Sequence, residues 1–547
     1  MPLVSLAELA GRLGLPPERV EPYGWHVGKV ELGHDPPRAG ARYALVTAMT
    51  PTPFGEGKTV VTIGLSMALS RLGHTAIATL REPSRAPVFG AKGGGAGGGR
   101  ASVEPAIRVN LELTGDLSAV AAAHNLCAAM LDNHIHRGLS PLVPVEGVAV
   151  RRVIDVSDRA LANIVVGRGE KRGPERESGF ELTAASELMA ILGLTSSLSD
   201  MRGRLGRMIV GFTSANEPVT ADDIKAAGAM AVLLRNAIRP NLLQTSEGTP
   251  AFVHTGPFAN IAHGCSSLVA DRLALSLADW VVTEAGFGAD IGAEKFVHIK
   301  CRAGGLRPAV AVLVCSVRAL KAHGRGRPLR VGQPLPAELG VEDLDLLRGG
   351  AENLRAHVEI LHELGLPVVV AVNRFPSDTE REIAEASALP VGAEASAVVD
   401  AFARGSEGAV ELAREVERVA RPTDPRYQYL LDDPIEHKLR VLATRIYGAR
   451  DIELLPLAQA QLRTFEGSDL SRLPVCVAKT QYSLSHDRQL LGRPSDFVFP
   501  IRELRASAGA GYLYALAGDI STMPGLPARP HATHIDLDAD GNVVGLS

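Results

Sequence analysis

The sequence predicts an α/β protein built on one large, mostly parallel sheet, with additional smaller α/β domains. Three observations carry that expectation. Short apolar runs of the kind buried on both faces recur along the chain: YALVTAM (43–49), HTAIATL (74–80), MIVGF (208–212), ADWVVTEA (278–285), PAVAVLVCSV (308–317) and LPVVVAVNRF (366–375). Helical patterns separate them, as in AVAAAHNLCAAMLDNHI (119–135) and ELTAASELMAILG (181–193). Most of the runs end in a polar or glycine-rich turn, where open parallel sheets hold their ligands.

Taken in order, the first run leads into T50-P-T-P-F-G-E-G-K-T59. This ends as a phosphate-binding loop does, yet Thr52 occupies the place where G-x-x-x-x-G-K-[ST] asks for glycine. Gly55 and Gly57 permit tight turns that aim N–H groups at phosphate oxygens. Lys58 has the reach for the β and γ phosphates, and Thr59 is placed to hold Mg²⁺. Pro53 favours an extended path at Thr52. The segment 57–73 then reads as a helix with Val61, Leu65, Met67, Ala68 and Leu72 on a broad apolar face. Strand, loop, helix and strand together give a P-loop NTPase-like unit.

The second strand ends in REPSRAPVFGAKGGGAGGGR (81–100). Arg81 and Glu82 leave a strand tip beside the loop, and an arginine there suits a bidentate grip on a carboxylate or a phosphoryl group. Lys92 and the glycines of 93–99 read as a backbone nest or a mobile cover. Asp116, in LTGD before the 119–135 helix, is either an N-cap, part of a Mg²⁺ shell or a group positioning a small acid. QTSEGTPAFVHTGPFANIAHGC (244–265) reads as a loop, with His254 and His263 lacking metal-ligand spacing and better suited to structural roles. Glu284 and Asp290 are loop caps or contacts to metal or γ-phosphate. Residues 325–345 read as an exposed loop or linker, and 475–528 as a smaller region of short strands with Gly-Ala turns.

Composition excludes several classes. A chain of 547 residues is long for one domain. A net charge of -4 gives no footprint for nucleic acid or an anionic membrane. Five cysteines without a C-x-x-C pair offer neither a disulfide framework nor a thiolate metal site, which fits a reducing compartment. The N-terminal segment lacks an export pattern, and no apolar run reaches about 18 residues. A cytoplasmic protein is expected.

TPTPFGEGKT, REPSRAPVFGAKGG, LTGD, TPAFVHTGPFANIAHG, VVTEAGFGADIGAEKF, AVNRFPSDTE, AKTQYSLS and AGAGYLYALAGDISTMPGLP run nearly the length of the chain. In that order they closely resemble the formate–tetrahydrofolate ligase family, whose own loop pattern is T-P-x-x-G-E-G-K-T. The resemblance implies ligation of formate to tetrahydrofolate with ATP, giving 10-formyltetrahydrofolate, ADP and phosphate through formyl phosphate. It further implies Mg²⁺, a monovalent cation (K⁺ or NH₄⁺) and a homotetramer. Its nucleotide loop maps onto Thr52, Pro53, Phe54, Gly55, Glu56, Gly57, Lys58 and Thr59, with Thr59 at the metal. Arg81, Glu82 and Asp116 join Lys58 as catalytic candidates. Phe375 matches an aromatic that stacks on the folate ring, and Phe402 stands where the family has a stacking tryptophan. The implied organisation is a nucleotide- and formate-binding domain over 1–330 with room for an inserted subdomain, a folate-site domain over 331–470 and a small domain over 471–547.

The chain also departs from the pattern. Arg85-Ala86 replaces Leu-Gly, Arg100 replaces an aromatic, and Ile107-Arg108 replaces acidic residues. Glu112 and Ser118 replace two histidines, and His298 replaces an aspartate. An ordinary ligase is the leading expectation. The alternatives are an ATP-binding paralogue with a changed carboxylate or lost activity, and a P-loop switch ATPase.

Overall fold

The computed structural model describes residues 3–33, 35–90, 94–330, 333–518 and 520–546. Twelve strands form one sheet. In chain order they are β1 (Val20–Pro22), β2 (Gly28–Val30), β3 (Arg42–Ala48), β4 (Ala76–Leu80), β5 (Gly97–Gly98), β6 (Ala101–Glu104), β7 (Asn241–Thr245), β8 (Pro250–Val253), β9 (Trp280–Glu284), β10 (Val310–Cys315), β11 (Val368–Asn373) and β12 (Ala395–Val399). Across the sheet the order is β1-β2-β7-β8-β4-β9-β3-β10-β11-β12, with β6 on β7 and β5 on β6. From β8 to β12 every pair is parallel. The others are antiparallel.

Alternation along each strand supplies two cores. Tyr43 and Leu45 of β3 face one, while Ala44, Val46 and Ala48 face the other. Full burial of such side chains contributes about 1.5–3 kcal/mol each for the larger aliphatics. Helix α1 (Lys58–Arg71) packs in the second core. The first core takes α3 (Asp116–His136), α4 (Leu268–Leu277), α5 (Val317–Gly324) and α6 (Ala351–Glu363). The short helix α2 (Arg85–Phe89) follows β4. The sheet is therefore covered on both faces, as its near-continuous apolar strands require.

Several expected elements take another form. MIVGF does not join the main sheet: Ile209–Phe212 pairs antiparallel with Pro218–Thr220 as a separate ribbon. The helix expected at 181–193 begins only at Glu187, because Phe180–Leu182 is a strand paired with Arg152–Ile154. The start of the 244–265 run, read as a loop, belongs to the β7–β8 hairpin inside the sheet. The 325–345 segment lies between two strands of one sheet, since β10 pairs directly with β11. In the C-terminal part, Val475–Ala478, Tyr512–Leu516 and Glu503–Ser507 form a three-stranded sheet. It docks on the large unit through Tyr512, whose hydroxyl donates to the Ile261 carbonyl at 3.2 Å. Among the described residues no helix is long and apolar enough to cross a membrane.

Candidate active site

Parallel pairing brings the carboxyl ends of β4, β9, β3, β10, β11 and β12 to one edge. The strands added after β9 lie on the far side of β3, so the sheet has a switch point beside the 50–59 loop. That loop carries left-handed Gly55 (φ 78°) and Gly57 (φ 75°) before the amino end of α1. A Cβ at Gly57 would run into the Asn373 amide. A helix start presenting free N–H groups is a ready anion site.

Thr52 builds the entrance with its own polar atoms. Its amide donates to the Glu56 carboxylate at 2.7 Å, and its hydroxyl accepts from the Phe54 amide at 3.3 Å. Glu56 is the hub of the loop. Its carboxylate also accepts from the Ser316 hydroxyl, and its carbonyl accepts from Asn373 Nδ2 at 3.0 Å. Among the described residues, the Lys58 ammonium makes no ion pair; burial lowers its pKa, opposed by Glu284 and Glu56. Thr59 Oγ1 donates to Glu284 at 2.8 Å.

At the neighbouring strand end, Arg81 Nη1 donates to the Pro257 carbonyl at 3.2 Å, and its buried Nε has no partner. Gly286 lies against it: a Cβ there would sit 3.3 Å from Arg81 Nη2. Glu82 is buried with both carboxyl oxygens unpartnered. Burial, then the nearby Asp116, pushes its carboxyl well above the usual range. Asp116 does not cap α3; Gly115 (φ 91°) holds that place. Its carboxylate takes Lys29 Nζ at 2.8 Å and Asn241 Nδ2 at 2.9 Å.

The departures between 85 and 118 are largely compensated inside the protein. Asp155 accepts from the Ser84 hydroxyl at 2.5 Å, the Arg85 amide at 3.0 Å and Arg85 Nε at 3.2 Å. Glu112 lies 3.7 Å from Arg85 and accepts from Ser118. Arg108 donates to the carbonyls of Tyr23 (2.6 Å) and Leu113 (3.0 Å). His298 accepts from the Gln428 amide through Nε2, so its proton sits on Nδ1, which donates to the Glu294 carbonyl at 3.0 Å. Within the glycine run the Gly95 amide donates to Asn110 at 2.6 Å, and Gly97–Gly98 forms β5. Lys92 lies outside the described residues.

Phe375 follows β11 and Phe402 follows β12, whose ends are in register at Asn373 and Val399. The Phe375 amide donates to Asp378 at 2.8 Å. Phe402 is 52% exposed, its carbonyl bound by the Arg100 amide at 2.8 Å. Of the histidines, His254 is a satisfied core residue bound to Ser267 (2.6 Å) and the Ala237 carbonyl (2.7 Å). His263 is not: it is fully buried with both ring nitrogens unpartnered. Asp290 pairs with Lys479 at 2.5 Å behind the edge. Sequence reasoning missed Lys29, Asn241, Asp155, Ser316, Arg318 and Asn373. A lysine inside the apolar VGKV of β2 was the one available signal, because such a residue needs a buried partner.

Comparison with known proteins gives one answer. The family model described as formate–tetrahydrofolate ligase matches residues 2–547. Relatives carrying that same name include one from Roseiflexus sp. (strain RS-1), 53% identical over 98% of this chain and 97% of its own. Another, from Saccharopolyspora erythraea, is 50% identical over 100% of this chain and 98% of its own.

Proposed function

The chain belongs to the formate–tetrahydrofolate ligase family, and we propose that it joins formate to tetrahydrofolate with ATP, giving 10-formyltetrahydrofolate, ADP and phosphate. The observation that carries this reading is one edge of the sheet on which Lys58, Thr59, Arg81 and Glu284 converge, with Phe375 and Phe402 at the ends of β11 and β12, beyond β10. ATP phosphates sit on the loop amides and the start of α1, and Lys58 reaches the β and γ oxygens. A formate oxygen attacks the γ-phosphorus in line with departing ADP, while Lys58 and Arg81 offset the growing negative charge. The product of that step is formyl phosphate, a mixed anhydride. The folate nitrogen N10 then attacks its carbonyl carbon, and the C–O bond to phosphate breaks. N10 loses its proton as the C–N bond forms.

The hydroxyl of Thr59 and the carboxylate of Glu284 are hard oxygen donors that fit Mg²⁺, which neutralises charge on the β and γ phosphates when bound. The two buried, unpartnered oxygens of Glu82 fit a monovalent cation (K⁺ or NH₄⁺), whose charge would offset that of its carboxylate. Asp116, anchored by Lys29, borders this point. Phe375 and Phe402 supply rings for the pterin, and such stacking adds about 0.5–1.5 kcal/mol beyond burial. Asp155 and Glu112 face Arg85, so the charge it adds does not argue for a carboxylate other than formate. A homotetramer in the cytoplasm completes the reading, with the three regions 1–330, 331–470 and 471–547, the first two sharing the large sheet.

Formate labelled with ¹⁸O tests the intermediate. The attacking oxygen ends in inorganic phosphate, one label per turnover. Label absent from phosphate would rule out formyl phosphate.

A further inference from the structure

Arg318 has no role in the scheme above. It lies in the first turn of α5, directly behind the phosphate loop. Its Nη2 donates to the Gly55 carbonyl at 2.5 Å. Its guanidinium carbon is 4.4 Å from the ring centre of Phe375 and 5.6 Å from that of Phe54. A planar, permanently charged guanidinium suits this position, since a face can rest on a ring while an edge N–H holds an oxygen.

The contacts join two parts of the site by one side chain. Gly55 is one of the left-handed glycines that shape the phosphate loop. Phe375 is the ring at the end of β11, and its amide is fixed by Asp378 at 2.8 Å. A second tie runs in parallel. Asn373, two residues before that ring, donates to the Glu56 carbonyl at 3.0 Å. Two successive loop carbonyls, those of Gly55 and Glu56, are thus held from the segment that carries or touches Phe375. Burial raises the Asp378 carboxyl above its usual range, opposed by the Phe375 amide and, more weakly, by Lys321 and Arg318.

We propose that Arg318 is a positioning residue that couples nucleotide binding to binding of the folate ring. Whichever ligand arrives first orders the stack of Phe54, Arg318 and Phe375 together with the Gly55 carbonyl. The second ligand then meets a site already ordered and binds more tightly. The inference rests on Phe375 being a folate-stacking ring.

Calorimetric titration of the full chain with a non-hydrolysable ATP analogue plus Mg²⁺, and with tetrahydrofolate, tests it. Each ligand is measured alone and in the presence of the other. In wild type each tightens the other by the same factor, at least about fivefold, as linkage requires. In Arg318→Met the factor falls to about one while binding of each ligand alone survives. Arg318→Lys behaves like the methionine variant, because an ammonium lacks the plane that rests on the rings. Coupling that persists in both variants overturns the proposal, and so does a wild type that binds both ligands independently. Tighter folate binding in Arg318→Met also overturns it, since Arg318 would then merely occupy the ring's place. A wild type that binds the ATP analogue but no tetrahydrofolate removes the folate reading itself, and the coupling with it.

Discussion

The Thr52 amide donates to the Glu56 carboxylate at 2.7 Å, and the same carboxylate accepts from Ser316. The phosphate loop is therefore closed by side chains where most such loops use a glycine. Thr52→Gly restores the common pattern but deletes the hydroxyl that accepts from the Phe54 amide. One lost hydrogen bond is worth about 0.5–1.5 kcal/mol, so the KM for ATP should rise roughly two- to tenfold. Steady-state kinetics check this, and a lowered KM would contradict the role given to Thr52.

Lys29 and Asp116 form an ion pair with side chains 1% and 3% exposed. Removing one partner of such a pair typically costs about 3–5 kcal/mol, because the other charge stays buried alone. Lys29→Met should lower the urea midpoint markedly. Lys29→Met combined with Asp116→Asn should recover part of the loss. Equal midpoints for the single and the double variant would show that the pair contributes nothing specific.

Burial pushes the His254 imidazole down to about 4 from its ordinary 6.5. Between those values the unfolded chain binds a proton that the folded protein does not, so this residue makes stability fall as the pH falls. The loss begins near pH 6.5 and is complete below about pH 4. His254→Gln lacks the effect. The stability advantage of wild type over the variant should therefore shrink across that window, by on the order of 3 kcal/mol. Denaturation curves from pH 7 to pH 4 measure it, and a constant gap would mean that His254 takes up its proton as readily in the fold as in the unfolded chain.

Arg85 contacts two carboxylates of unequal worth. Asp155 is buried at 3.2 Å, whereas Glu112 is 43% exposed at 3.7 Å. Arg85→Leu should destabilise by about 1–3 kcal/mol. Glu112→Gln should cost less than about 1 kcal/mol, since water screens the exposed pair. Thermal melts of both variants decide between them, and a larger loss for Glu112→Gln would reverse this ranking.

Much of the sheet was legible because its strands are buried on both faces and read as continuous apolar runs, as in β3, β10 and β11. The β7–β8 hairpin was hidden because Ser246, Glu247 and Gly248 make its turn look like open loop. Ile209–Phe212 has the same composition as a central strand, and periodicity cannot tell which neighbour a short strand will find. At the site, local spacing marks Lys58 and Thr59 within one motif. Asn373, Ser316 and Arg318 were invisible, since each reaches the loop across more than 250 residues of chain. The substitutions at Arg85, Glu112 and Ser118 looked disruptive singly, and only their contacts with one another, and that of Arg85 with Asp155, show that they form a set.

The most direct test of the account is the formation of 10-formyltetrahydrofolate from formate, ATP and tetrahydrofolate with Mg²⁺ and K⁺, using wild type and Arg81→Ala side by side. The account predicts product with wild type and at least about a hundredfold lower kcat/KM in the variant, about 2.7 kcal/mol of barrier. A wild type that binds ATP yet makes no product, or an Arg81→Ala variant with full activity, would contradict it.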